Sequence, residues 1–503
     1  MAKHTYYIAF AVIILSTAGL CCGQSEANEP NKIGGFSEEL LGPIPQQVLG
    51  VVRSRDNRHI AIATAKDNKF QIVVDGKAGP EYAGLMDGGI VFSPNGERIA
   101  YAAKKDNNKM SVVVDDKSGA EYDSIAKGTI IFSPDSSRIG YVAKKGNNWH
   151  VVIDEQASES YGGFAINTLF SPDSRRTMYV AEKMGKWVVV IDGEKGPEYE
   201  RIKGNLIFSP DSKHTAYAAQ SGYNKVQAVI DGNAGPQYDD IMDRTPAFSP
   251  DSQRTIYVGK KGMRWQIIVD GNAGPEYDSI GKGAPPIFSP DSKRLAYTAR
   301  DEYKWVVVVD GNVAGEYADI LEGSLIFSPD SKRIACAAGK SGKWVAVVDG
   351  KEETEYDNIL AGSIVFSPDS RQIGYVAQTE SRQMVVIDGI AGGGYARIGS
   401  TAIFSPDGKR AAYVAQKGTK TAIIIDGQAE PECDGVGSGS PIFSLDSKHL
   451  AYWAANGRRW RIVVDGQTSA EYDGNACAVA ANENGFEAIG SRDGKLYRVF
   501  WKP

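Results

Sequence analysis

Apolar runs of four to six residues, separated by polar breaks that carry glycine, recur along most of the chain, and no stretch places apolar residues at helical spacing between caps. The clearest run of this kind lies between Gly323 and Leu360. There Ser324–Phe327 ends in Ser328-Pro329-Asp330-Ser331, Arg333–Ala338 ends in the polar break Gly339 to Lys343, Trp344–Val348 ends in Asp349-Gly350, and the more polar Glu355–Ile359 follows. Short continuous apolar runs rich in β-branched residues predict strands buried on both faces. Pro329 presets the backbone of a tight turn, Asp330 and Ser331 can hydrogen-bond nearby backbone groups, and Asp349-Gly350 is a strong hairpin signal. The prediction is four antiparallel strands of rising polarity.

The unit repeats. Its marker serine stands at Ser93, Ser133, Ser171, Ser209, Ser249, Ser289, Ser328, Ser367, Ser405 and Ser444, in steps of 38 to 40 residues. One step back from Ser93 falls on Ser54-Arg55-Asp56-Asn57, and one step beyond Ser444 falls on Asn482-Glu483-Asn484-Gly485, so two worn end copies bring the count to twelve. Four-stranded sheets repeated at about 40 residues predict an all-β fold, a β-propeller of about twelve four-stranded blades.

The pattern I-F-S-P-D-S-K-R-I-A, then a glycine turn, then V-V-V-D-G, resembles the TolB-like and WD-repeat-like β-propeller family from about residue 40 to the end. Most units carry Ser where that family has Gly after Ser-Pro-Asp, as at Ser136 and Ser174, and the element Asp270 to Asp278 (D-G-N-A-G-P-E-Y-D) is an addition. The resemblance implies a propeller with a binding role and no fixed ligand.

Propellers usually have about four to eight blades, which favours two rings of about six with a break near Gly281-Lys282-Gly283. The unbroken spacing there leaves one wide ring with an open centre as the alternative. The organisation is then residues 1–27 as an export signal, 28–47 as a tether and edge strand, and 48–282 and 283–503 as two halves of the repeat array. The last unit offers Phe486 to Ile489 and Leu496 to Trp501 and lacks an outer strand, which the segment Gly42 to Val48 is placed to supply.

The export expectation rests on Lys3 followed by the apolar run Tyr6 to Leu20 and small residues. It leads to the periplasm, the outer membrane as a lipoprotein, or secretion. Cys21 and Cys22 stand where a lipid anchor would be attached, although Leu20 is a poor match to the small residue expected before such a cysteine; plain cleavage near Ser25 and Ala27 is the other route. A formal net charge of −6 argues against nucleic acid as the partner. Cys336 and Cys433 occupy tyrosine slots of other units (compare Tyr141 and Tyr472) and read as core substitutions rather than as a disulfide framework.

The residues offer little chemistry. The five histidines have no metal-ligand spacing, no Gly-x-Ser-x-Gly elbow occurs, and the Gly-rich stretches Gly392 to Gly394 and Gly435 to Gly439 lead into no helix. The aspartates at Asp-Gly positions, such as Asp270 and Asp349, repeat identically around the chain, which fits a turn role better than a calcium ring. Six tryptophans (Trp149, Trp187, Trp265, Trp305, Trp344, Trp460) share the start of the third strand and read as packing.

The break between second and third strands is repeatedly basic. Lys144, Lys145, Lys183, Lys186, Lys260, Lys261 and Arg264 are its strongest examples. In an antiparallel blade these hairpins share one rim, so they form a cationic ring on an acidic protein that could steer an anionic partner. The expectation is therefore an exported, non-enzymatic scaffold without cofactor, binding an envelope protein or an anionic glycan by these residues. The rival is a glycan- or lactone-cleaving enzyme with its site in the central channel, for which Asn167, Asn205 and Arg244 are the exceptional inner residues.

Overall fold

In the computed structural model, which describes residues 35–164 and 169–503, twelve sheets of four radial positions form one ring, and no helix occurs among the described residues. The blade around Ser328 shows how the sequence builds them. Its innermost position is split into Asp319–Ile320 and Ile326–Phe327, followed outward by Ile334–Lys340, Lys343–Val348 and Lys351–Tyr356. The outermost strand therefore starts right after Asp349-Gly350, earlier than expected. Asn358–Ile359, predicted to belong to it, opens the next blade instead, pairing with Gln378 and Ala377. The reason is local: Asp349 and Gly350 both have positive φ, 53° and 78°, which gives a two-residue turn whose twist matches the strands it joins.

Both faces of each blade are buried. Along the second strand Ala335 and Ala337 join the core shared with the following blade, while Cys336 and Ala338 join the core shared with the preceding one; Ala346 and Val348, then Val345 and Val347, divide in the same way. That is why these strands are continuously apolar instead of alternating. Each fully buried Val or Ile contributes roughly 1.5–3 kcal/mol. Tyrosines cross eight of the twelve seams in edge-to-face pairs, as Tyr277 against Tyr297 at 6.2 Å.

The ring is single. A core of Ile256, Val258, Ile267, Leu295, Tyr297 and Val308 runs unbroken across residues 282 and 283, and another of Ile60, Ile62, Val73, Cys477, Ile489 and Leu496 joins the last blade to the first. The favoured expectation of two rings of six is thus corrected. Two rings would need the sixth blade to pack on the first, whereas it carries the same packing surface as its neighbours and uses it on the seventh.

Closure joins the first described strand to the last. Phe36–Pro43, antiparallel to Lys495–Trp501, is the outer strand of the twelfth blade. It lies N-terminal to the predicted Gly42 to Val48, because Val48–Arg53 is needed as the innermost strand of the first blade. Glu38 holds it through a two-pronged pair with Arg492, at 3.1 and 2.8 Å, and accepts the Tyr472 hydroxyl. The export signal, Cys21 and Cys22 lie outside the described residues.

Candidate functional site: the hairpin rim

The two rims of the ring have different chemistry. On the first, Ser-Pro-Asp-Ser is a clasp between blades. The Ser328 hydroxyl donates to Asp330 at 2.6 Å and accepts from the Arg333 amide at 2.9 Å, closing the turn, while Ser331 takes the left-handed φ of 66° where the resembling family has Gly. The Asp330 amide then donates to Ser370 of the next blade at 2.9 Å, and the Arg333 guanidinium reaches the Arg371 carbonyl at 2.8 Å while lying 5.2 Å over the Phe366 ring. Asp349, one of the Asp-Gly aspartates, accepts from the Ile334 amide at 2.8 Å and the Arg333 Nε at 3.1 Å. Its carboxylate is engaged in holding two turns together. No group of three or more metal-ligating side chains occurs among the described residues.

The second rim is formed by the basic hairpins, and most of their charge is engaged in a second clasp. Lys225 pairs with Asp239 at 2.7 Å, and the other oxygen of Asp239 accepts the Gly262 amide of the next hairpin at 2.7 Å. These two bonds, Lys225 first, hold the Asp239 carboxyl below its ordinary range. Arg264 meets Asp278 at 2.7 Å, and Asp278 accepts the Glu302 amide at 2.7 Å. Lys186 pairs with Glu200, and Lys183 lies 4.0 Å from Glu159. Lys144 and Lys260 lie over Trp149 and Trp265, at 5.4 and 5.5 Å. Lys145 and Lys261 are exposed and have no carboxylate at ion-pair distance among the described residues, as does Arg300 in the next blade. The seven predicted residues therefore share one rim: Lys186 and Arg264 are in ion pairs, Lys183 is at the limit of one, Lys144 and Lys260 cover tryptophans, and Lys145 and Lys261 are the open cations.

Charge drew attention to this rim and away from its most unusual feature. Met184, Tyr223, Met263 and Tyr303 are the tips of the hairpins in blades four, five, six and seven, with 93%, 92%, 86% and 88% of their surface exposed. The other hairpins carry polar or glycine tips, such as Asp67-Asn68, Gly146-Asn147, Ser341-Gly342 and Gly418-Thr419. Met184 even takes a φ of 53°, a conformation that Asn, Asp or Gly adopts more readily. Neither the conformation nor the exposure stabilises the ring. Aligning the units on their serines would have revealed this run of apolar tips. Each tip alone looks like an ordinary exposed residue; only the succession is unusual.

The channel is less promising. Sheets packed about 10 Å apart give twelve blades a girth of roughly 120 Å at mid-blade, so opposite inner strands stand on the order of 20 Å apart across the axis. Residues from opposite blades cannot converge on one reacting atom. Arg244 is exposed at an inner turn with φ 66°, and Asn167 lies outside the described residues. Trp453 and Trp501, which fall outside the tryptophan register, are both buried, and Trp453 Nε1 donates to the Cys477 carbonyl at 2.9 Å.

No protein-family model matches the chain, and no curated protein matches it. Among solved structures it is similar to a eukaryotic initiation factor, with 13% identity over 73% of this chain and 98% of that one and a TM-score of 0.37. It is also similar to TolB from Acinetobacter baumannii, with 15% identity over 59% and 79% and a TM-score of 0.24. The Dos1 propeller matches with 12% identity over 57% and 89% and a TM-score of 0.27.

Proposed function

We propose that this chain is a non-enzymatic binding scaffold exported to a bacterial cell envelope, and that it captures a protein partner on the hairpin rim of blades four to seven. The observation that carries the proposal is the succession Met184, Tyr223, Met263 and Tyr303, four large apolar side chains exposed on one face of a rigid ring. Exposed apolar clusters rimmed by polar residues mark interaction sites, and Met and Tyr are favoured at such surfaces because one adapts and the other offers area at little entropic cost. The apolar segment Tyr6 to Leu20 after Lys3 supports export.

The test is co-purification from envelope extract of the source cell, comparing the native ring with Met184→Asn, Tyr223→Ser, Met263→Ser and Tyr303→Ser combined. The native protein should retain a partner that the variant loses, with both folding equally by circular dichroism. Equal capture by both would overturn the proposal.

A further inference from the structure

We infer that the protein partner of this rim is a second copy of the chain, seated face to face about a two-fold axis that runs through the seam of blades five and six. The inference rests on the hairpin rim being the recognition face and names what that face captures. A two-fold dimer needs a surface that complements itself when turned over. An axis along that seam reverses the order of the blades and keeps each strand at its own distance from the centre of the ring. Blade four then faces blade seven of the other copy, and blade five faces blade six. The four tips fit this reversal. Their two-residue turns are Met184-Gly185, Tyr223-Asn224, Gly262-Met263 and Glu302-Tyr303. Turned over, Tyr303 stands opposite Gly185 and Tyr223 opposite Gly262, so each ring meets a turn position without a side chain, with Met184 or Met263 beside it. Sulfur at the edge of an aromatic ring is a favourable contact.

Charge selects the same reversal. The second strand ends in Glu182-Lys183 in blade four and in Arg300-Asp301 in blade seven, opposite in sign at both positions, with Glu302 beside Asp301. Lys260 and Lys261 of blade six face the uncharged Gln220 and Gly222 of blade five. At the start of the third strand Lys186 faces Lys304 and Lys225 faces Arg264, but each of the four carries its own carboxylate. Arg201 faces Asp240, and Glu276 faces Gln237. Glu198 meets Glu316 with like sign at the outer edge, where Lys304 already pairs with Glu316 at 2.8 Å. An axis along the tangent of the rim would instead set Lys183 against Lys186 and Lys261 against Arg264, and it fails on charge. The area is sufficient as well. A tyrosine buries about 150–250 Å² and a methionine a similar area, so the tips of both copies reach roughly 1,200–2,000 Å² in total, the size of a standard interface. The bonds from Lys225 through Asp239 to Gly262, and from Arg264 through Asp278 to Glu302, fix the tips beforehand, so pairing orders little of the protein.

Sedimentation equilibrium of the purified chain at low salt reads the self-association. The native ring should form a dimer, and the four combined tip substitutions should leave a monomer with unchanged circular dichroism. Lys183→Glu alone and Asp301→Lys alone should each weaken the dimer about tenfold, because each sets like charges together at two symmetric places. An equimolar mixture of these two variants should recover near-native affinity, because both places are complementary in the mixed pair. A monomeric native ring, a dimer indifferent to the tip substitutions, or charge reversals that do not rescue one another would overturn the inference. So would tip-dependent flotation of a monomer with phosphatidylglycerol vesicles. If the ring is monomeric while tip-dependent co-purification of a different protein persists, recognition on this rim stands and the second copy is wrong; if neither self-association nor co-purification depends on the tips, both readings fall.

Discussion

Replacing Phe36 by Ala tests whether the chain's N-terminal strand closes the ring. Phe36 is 3% exposed and packs in the core of the last two blades with Trp453, Phe486, Val499 and Trp501, opposite Trp501 in the strand register. Removing a buried Phe side chain costs about 3–5 kcal/mol. Because Phe36 begins its strand, where the backbone can relax into the space left behind, the expected loss is near the lower end, about 3 kcal/mol. Leu40, four residues along the same strand and 55% exposed, supplies the control: Leu40→Ala should stay within about 0.5 kcal/mol of the native protein. Guanidinium unfolding followed by tryptophan fluorescence reads both, since Trp453 and Trp501 lie in this core. The comparison uses the midpoint of the first transition, because long repeat arrays can unfold in steps. Phe36→Ala should lower that midpoint clearly and Leu40→Ala should not. Equal midpoints would mean that the strand is not docked and that the ring closes some other way.

Two further outcomes follow from the clasps and the core. The Ser-Pro-Asp-Ser aspartates have carboxyls held below their ordinary range, first by the neighbouring Ser hydroxyl and then by a backbone amide, and Asp211 is lowered to about 2. A folded-state pKa below the unfolded value of about 3.9 gives stability that is present above pH 4 and lost as pH falls towards 2. Thermal melts should therefore lose midpoint steeply between pH 4 and pH 2, and Asp211→Asn should reduce the slope; a midpoint unchanged down to pH 2.5 would contradict the clasp. Cys336 is buried and its thiol is pushed up to about 12 by burial, so it should resist a thiol reagent in the native ring and react only on unfolding; rapid native labelling, located by mass spectrometry, would show that its seam opens.

Much of this molecule could be read from short-range pattern. The strands, their turns and the number of blades follow from apolar runs and turn formers that act over a few residues, and the repeat multiplies that signal. Cys336 and Cys433 were legible as core substitutions for the same reason: they fall in register slots that other units fill with tyrosine, and both are buried. The hairpin rim was legible as a position, since connectivity alone puts all second-to-third strand breaks on one face.

What sequence could not decide depends on partners far apart in the chain. Lys186, Lys225 and Arg264 look alike as cations in a hairpin, and only the fold brings Glu200, Asp239 and Asp278 to them; Asp239 and Asp278 also accept an amide of the next hairpin and so tie blades together. Closure is of the same kind. Six or twelve blades to a ring is set by the small angle between neighbouring sheets, which no local motif encodes, and the choice of Phe36–Pro43 over Gly42 to Val48 waits on which strand the first blade needs for itself. By itself the sequence determined the blade and its count, because those are local; the tertiary structure decided the single ring, the neutralised charges and the exposed arc of Met184, Tyr223, Met263 and Tyr303, because each depends on how repeats pack against one another.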